Sequence, residues 1–243
     1  VAHTISPDLI AIQDEIRFDF GWTLDADLNS ARELREECEL KAWPKGIWSD
    51  SGRNQTLLDL QERLISGPIT VLGAAATAED VNAAIEAGHG IIAADGAVGV
   101  LTEVGFSEIV WNSLRCVVSD ADGDEEHLAN AAERKIPFIL HAHGDNSDEW
   151  RTLLDVLYLY KTPLVITHQT PDDIIGMYNP GGFTDGDRAV CFALSMNVSV
   201  EQLTLRGFAT DHIGKWTGAT NPKQKMRKLE WMARVLELAG VKW

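Results

Sequence analysis

The chain has 243 residues, 45% apolar and 24% charged, proportions of a soluble globular protein long enough to bury a sizeable core. Its 37 acidic residues against 21 basic ones leave a formal charge of −16. That balance argues against sequence-independent nucleic-acid binding and against docking on anionic membranes, both of which rely on clustered Lys and Arg.

Residues 1–66 read as helical. Leu9, Ile10, Ile12 and Ile16 mark one amphipathic helix. Asp25 to Lys41 is a charged helix with Leu28, Ala31, Leu34, Cys38 and Leu40 on or near one face. Leu57, Leu58, Leu60, Leu64 and Ile65 mark a third, which Ser66-Gly67-Pro68 breaks. From residue 67 to 243 the texture changes. Short apolar runs at Ile69–Leu72, Gly90–Ala94, Cys116–Ser119, Pro137–His141, Leu164–Thr167 and Leu203–Arg206 alternate with helical stretches at Ala78–Ala87, Asp124–Lys135, Ser147–Tyr160 and Phe183–Ser195. A last helix spans Pro222–Leu238. Strand–helix alternation of this kind predicts an α/β fold, a Rossmann-like three-layer, mostly parallel sheet with helices on both faces, preceded by a helical region.

No apolar run approaches 18 residues and no signal-peptide pattern opens the chain. Val1 in place of methionine implies a lost initiator. Three well-separated cysteines, Cys38, Cys116 and Cys191, read as buried free thiols in a reducing compartment, so a cytoplasmic protein is expected. The eight tryptophans serve packing or an oligomer interface, which leaves a homodimer among the expected assemblies.

Useful chemistry gathers just after the strands, where open parallel sheets bind ligands. Ser119-Asp120-Ala121-Asp122-Gly123 is the clearest case. In an extended chain, residues two apart point the same way, so Asp120 and Asp122 face one site with backbones roughly 6–7 Å apart. Two such anions repel by about 1 kcal/mol in water and more where solvent is excluded. A hard divalent ion such as Mg²⁺ removes that penalty; capping accounts for one of the pair but hardly both. Asp95, at another strand end, fits a helix cap and a metal or ribose contact alike. Gly73-Ala74-Ala75-Ala76-Thr77 reads equally as a small-residue anion loop and as a tight turn whose Thr77 and Asp80 form a capping box. It matches neither GxxxxGK[ST] nor GxGxxG.

His141-Ala142-His143-Gly144-Asp145-Asn146 invites a zinc reading, with the later His168 and Asp211 mimicking a metal-dependent amidohydrolase barrel. Length argues against it: such a barrel takes about 250 residues, with the HxH pair near its start. His141 is better read as structural, with His143, Asp145 and Asn146 facing the ligand. The loop Asn179 to Arg188 is glycine-rich and opens a helix; Thr184 and Arg188 suit phosphate oxygens, and Asp185 or Asp187 suits a metal-bound water or a polar ring. An N-capped helix after a loop is the plainer alternative. Lys225 and Lys228, one helical turn apart, suit either a phosphate or a solvated helix face.

Together Asp19-Phe20-Gly21, Ala94-Asp95-Gly96-Ala97, Ser119-Asp120-Ala121-Asp122-Gly123, His141 to Asn146, Gly181 to Ala189 and the Lys225/Lys228-Leu229 helix resemble, in order and spacing, the archaeal 6-hydroxymethyl-7,8-dihydropterin pyrophosphokinase family. That family is related in fold and chemistry to thiamine pyrophosphokinase and shares a domain type with flagellin-modifying glycosyltransferases. The first loop departs from the Gly-x-Gly-Pro-Ser pattern of related domains. The resemblance implies transfer of diphosphate from ATP to the hydroxymethyl-dihydropterin, giving AMP, in the synthesis of folate-like or methanopterin-like carriers. It implies Mg²⁺ held by Asp95, Asp120 and Asp122, with Asp145 as an alternative to Asp95, and catalytic roles for Asp122, Asp145 and Arg188. Nucleotide contacts fall to Gly73, Ala74, Asp95, Gly96, Thr184, Arg188 and Lys225, and pterin contacts to His143, Asn146 and Asp187. Thiamine pyrophosphokinase and a nucleotide-sugar glycosyltransferase are the alternative readings.

Overall fold

The computed structural model describes residues 6–42, 46–104, 107–218 and 220–243; the expectation about Val1 lies outside them. Three helices come first: α1 (Pro7–Phe20), α2 (Leu24–Lys41) and α3 (Asp50–Ile65). Thr23 and Ser49 cap α2 and α3 by accepting a backbone N–H, which the sequence places where each helix must satisfy its first donors. The strands are β1 (Ile69–Leu72), β2 (Gly90–Ala94), β3 (Leu114–Ser119), β4 (Phe138–His141), β5 (Leu164–Thr167) and β6 (Leu203–Arg206). They form a parallel sheet in the order β5-β4-β3-β2-β1-β6. Between and after them run α4 (Ala78–Glu86), α5 (Val100–Glu103), α6 (Glu108–Ser113), α7 (Glu125–Glu133), α8 (Ser147–Tyr160), α9 (Asp185–Ser195) and α10 (Pro222–Leu238).

The α/β expectation holds, with adjustments at element ends. Two short helices, α5 and α6, fill the β2–β3 crossover, which the sequence reading left blank. The last crossover helix starts at Asp185 rather than Phe183, because Gly181 and Gly182 occupy the left-handed region and Thr184 caps the helix. Strands buried on both sides alternate their residues between two cores. Ile91, Ala93, Val117, Phe138, Leu140, Leu164 and Ile166 face one core with helices α2 and α4–α8. Ile69, Val71, Ile92, Cys116, Val118, Ile139 and Val165 face the other with α3, α9 and α10. All three cysteines are buried free thiols.

The strand order explains this division. From β1 to β5 the chain steps steadily one way, so crossovers of one hand leave their helices on one face. From β5 it returns across the sheet to place β6 beside β1, so α9 falls on the opposite face. Strand order therefore reverses between β1 and β6, the point where open α/β sheets form a ligand crevice. The N-terminal helices serve both faces. α1 shares a third core, Leu9, Ile12 and Ile16 with Phe183, Cys191, Trp231 and Val235, with α9 and α10. Among the described residues, no helix is long and apolar enough to cross a membrane.

Candidate active site

The carboxyl ends of β2 and β3, with the start of α9, bring four carboxylates together. Ligand oxygens of Asp95, Asp120, Asp122 and Asp185 all lie within 4.8 Å of one another. Asp95 opens a 3₁₀ turn directly after β2 with φ at +45°, a conformation costing a non-glycine residue about 1 kcal/mol. The Ser119 hydroxyl holds its carboxylate at 2.5 Å. Gly123 is required by this close approach, since a Cβ there would collide with the Asp95 carboxylate. Asp120 directly follows β3, and the pair is not extended as expected: Ala121 bends the chain at φ +74° so that Asp122 turns back toward Asp120, its N–H donating to Asp120 Oδ1 at 3.4 Å.

Electrostatics follow from the crowding. Burial raises Asp95 well above the usual carboxylate range, and the charges of Asp185, Asp120 and Asp122 add to it. Asp185 is pushed up to about 8 by burial and then by Asp120. Asp122, at the solvent-facing rim, is raised to about 6, first by the charge of Asp120. Burial also acts to raise Asp120, but the hydrogen bond and charge of His143, with Arg188 and Lys228 beyond, hold it below the usual range. His143 Nε2 lies 3.2 Å from Asp120 and Nδ1 2.7 Å from Asp145. Burial opposes its charge, yet these two carboxylates lift His143 to about 9. This donor set is all oxygen, anionic and mutually repelling, which fits a hard divalent cation such as Mg²⁺.

Two cavities meet at the carboxylates. One runs along the β1/β6 switch point and is lined by Gly73, Ala74, Asp95, Gly96, Gly207 and Gly214, among others. The loop after β6 is bound there: Ala75 N–H donates to Gly207 O at 2.9 Å, Trp216 N–H to Ala74 O at 2.9 Å, and Trp216 Nε1 to Ala76 O at 2.9 Å. Gly207 sits at φ +70° with Ala76 where a Cβ would be. The second cavity is lined by Trp22 and Phe183, with Gln169, His143 and Lys228 around them. The Trp22 and Phe183 rings lie 6.0 Å apart, and Lys228 Nζ is 5.4 Å from the Trp22 ring. Asp122, Thr184, Asp185 and Lys225 line both cavities.

Several expected residues take other places. Asp145 does not join the carboxylates; it stands outside them in its ion pair with His143, which lowers its pKa. Asn146 is buried with its amide spent on the loop, donating to Asp120 O and His141 O at 2.8 Å and accepting from His143 N–H at 2.9 Å. Asp187 is fully buried and caps α9, accepting from Phe183 N–H at 2.5 Å and Thr184 N–H at 2.8 Å. Neither has a free edge for a substrate. Arg188 is fully buried behind Asp185, donating to Phe183 O at 2.5 Å and standing 3.4 Å from Asp185. It acts on the carboxylates rather than reaching the cavity. The Thr184-x-x-Asp187 signature of a capping box was present in the sequence and points to Asp185, not Asp187, as the residue left for the site. Trp22, Phe183 and Gln169 carried no comparable signal.

No family model matches the chain. Curated proteins from three archaea are similar to it, each named 6-hydroxymethyl-7,8-dihydropterin pyrophosphokinase. The Pyrococcus furiosus protein is 40% identical over 155 residues, 60% of either chain. The Methanothermobacter thermautotrophicus protein is 29% identical over 156 residues, 60% of this chain and 61% of the relative. The Methanocaldococcus jannaschii protein is 32% identical over 117 residues, 48% of this chain and 45% of the relative. The chain spans about 60% of the length of the first two relatives it matches. Its similarity is thus to the archaeal 6-hydroxymethyl-7,8-dihydropterin pyrophosphokinases, the family that its motifs resemble.

Proposed function

We propose that the protein transfers a diphosphoryl group from ATP to 6-hydroxymethyl-7,8-dihydropterin, with Mg²⁺, releasing AMP and the pterin diphosphate. The observation that carries this reading is the four-carboxylate cluster shared by two adjoining cavities, one lined by glycine backbone and one walled by aromatic rings. A polyphosphate suits the first and a flat heterocycle the second, and the names of the relatives supply the acceptor. The product would enter the synthesis of folate-like or methanopterin-like carriers.

Asp95, Asp120, Asp122 and Asp185 would hold Mg²⁺, which supplies neutralisation of phosphate charge and polarisation of the phosphorus under attack. The chain's residues do the positioning that dominates phosphoryl-transfer catalysis. Gly73 and Ala74 let backbone approach the phosphates, and the first turn of α9 presents its positive dipole end through Thr184 to Gly186. Lys225 stands where the two cavities meet and offers a cation to the transferred group. In the reaction the acceptor hydroxyl oxygen bonds to the β-phosphorus, and the bond from that phosphorus to the oxygen bridging it to the α-phosphorus breaks. AMP leaves with that oxygen. The hydroxyl proton goes to a carboxylate; Asp122, which lines both cavities, is better placed for it than Asp145, which stands outside the cluster in its ion pair with His143.

An AMP-release assay with ATP, Mg²⁺ and a panel of 6-hydroxymethyl-7,8-dihydropterin, thiamine and no acceptor tests this. AMP is expected with the pterin alone, and none in EDTA. AMP with thiamine only, or none with any acceptor, refutes the assignment.

A further inference from the structure

The aromatic cavity has walls and a cation, yet the residues expected to read a heterocycle's polar edge, Asn146 and Asp187, are consumed by the loops they hold together. One amide remains in the lining, Gln169, in the loop after β5. Its Nε2 donates to Asp27 Oδ2 at 3.0 Å. An amide nitrogen carries two hydrogens, and this bond uses one. Its Oε1 accepts from His141 Nε2 and Arg188 Nη2, each at 3.4 Å, long bonds that a closer donor can displace. Because Asp27 can only accept and Arg188 can only donate, the amide has one orientation. On a residue that lines the cavity, this leaves one N–H uncommitted and an oxygen held only by long bonds.

The group that fixes it comes from the N-terminal helices. Asp27 on α2 is buried, accepts from Gly144 N–H at 2.8 Å, and pairs with Arg17 Nη1 of α1 at 2.9 Å. The same Arg17 nitrogen donates to Gln169 O at 2.7 Å. A buried ion pair adds little stability beyond what apolar side chains of the same size would give, so stability alone does not account for it. Orientation does: Arg17 fixes the backbone of Gln169 and Asp27 fixes its side chain.

We propose that Gln169 is the specificity-determining residue of the aromatic cavity, reading the adjacent N–H and C=O of a lactam-type heterocycle edge, with Asp27 and Arg17 as its positioning residues. This rests on the proposed function for the identity of the heterocycle. The reduced pterin has such an edge.

The test uses the full chain and measures two things, AMP-release kinetics and direct binding of 6-hydroxymethyl-7,8-dihydropterin by quenching of tryptophan fluorescence. In Gln169→Leu the acceptor KM and Kd are expected to rise at least tenfold, equivalent to about 1.4 kcal/mol. Mg²⁺–ATP affinity, measured without acceptor, should stay within twofold, and the melting temperature close to the parent's. Asp27→Asn leaves one neutral acceptor where the carboxylate held Gln169 Nε2, Arg17 and Gly144 N–H together, and so loosens the amide. It should raise the acceptor Kd similarly, and the double variant should be no worse than either single one. If Asp27→Asn does not fold, Gln169→Leu and Gln169→Glu decide the matter. Unchanged acceptor Kd in a folded Gln169→Leu protein, or an equal loss of Mg²⁺–ATP affinity, overturns the proposal. If the parent binds the pterin without turning it over, the reaction assignment fails while loss of binding in Gln169→Leu still supports the role of Gln169. If the parent does not bind the pterin, both fail.

Discussion

The inclusion of Asp185 among the clustered carboxylates makes a quantitative prediction for Asp185→Asn. Two full charges 4.8 Å apart repel by roughly 3 kcal/mol at an effective dielectric near 20, and Asp185 has three such neighbours. The metal-free protein meets that cost by protonation, so the folded pKa of Asp185 rises from 3.8 to about 8. A carboxyl raised on folding contributes stability that is fully present below its unfolded pKa and is lost as pH rises through the folded value. At pH 7 the unfolded chain gains by ionising Asp185 and the folded one does not. Over the 3.8-to-7 interval, at about 1.4 kcal/mol per pH unit, this amounts to about 4 kcal/mol. Four coupled carboxylates share the repulsion, and neighbours relax when one is removed, so roughly 2–3 kcal/mol is the part that substitution recovers.

Asparagine at 185 should therefore stabilise the metal-free protein at pH 7, raising its melting temperature by roughly 5–10 °C for a chain of this size. Circular-dichroism melts in EDTA between pH 4 and 9 check this. Parent and variant should coincide near pH 4 and diverge toward pH 8. Titrating Mg²⁺ should then raise the parent's melting temperature much more than the variant's, because the bound cation replaces the protons that relieve the parent's repulsion. A variant that melts below the parent in EDTA at pH 7, with an undiminished Mg²⁺ response, would refute the placement of Asp185 in a cation site.

Three further variants probe the rest of the site. Asp122→Asn should keep the fold and lose at least about 100-fold in Mg²⁺-dependent AMP release, the scale of removing one preorganised charged group from a transition state; near-normal turnover sinks the assignment. Asn146→Ala should lower stability by about 2–3 kcal/mol in denaturant titration, because two buried carbonyls lose their donor, while the acceptor KM of the folded fraction stays near the parent's. Trp216→Ala removes the indole N–H bond that ties the loop after β6 to Ala76 O, while the backbone bond to Ala74 O stays, and should raise the KM for ATP several-fold with the acceptor KM unmoved.

The sheet was legible because β1 to β5 are short apolar runs, almost wholly buried and bounded by turn chemistry, and the half-buried edge strand β6 still stands between a cap and Gly207. The β2–β3 crossover was not. Asp95 to Leu101 is a compact buried run with no helical period long enough to register, and α5 and α6 are only 4 and 6 residues long. Within the site, Asp95, Asp120 and Asp122 stand out in the sequence because they come directly after strands, whereas the turn at Ala121 that brings Asp122 back toward Asp120 carries no signal. Between Asp185 and Asp187, the capping box that occupies Asp187 is a local pattern and is the one sequence feature that separates them. The contribution of α1 and α2 was hidden for another reason. Gln13 to Gly182, Arg17 to Gln169 and Asp27 to Gly144 join residues more than 100 positions apart, and nothing local marks Arg17 or Asp27 as different from the other charges on their helices.

Those distant contacts bear on how so acidic a chain would hold a polyanion. The excess of 16 negative charges gives no general attraction for ATP, so binding must come from local charge at the site. The cations there are few and differently employed. Arg188 and His143 are directed at Asp185 and Asp120 and keep the cluster from repelling itself apart. Lys215 and Arg227 are held by Glu103 and Asp19, away from the carboxylates. Lys225 and Lys228 line the cavities, and Lys228 is backed by the Trp22 and Phe183 rings. Two lysines cannot offset both a triphosphate and four carboxylates, so divalent cations must supply most of the balance. On the proposed function, nucleotide affinity would be set by metal occupancy, and acceptor affinity by neutral contacts from Trp22, Phe183 and Gln169. The two should separate under salt: raising ionic strength at saturating Mg²⁺ should weaken ATP binding markedly and leave pterin binding almost unchanged.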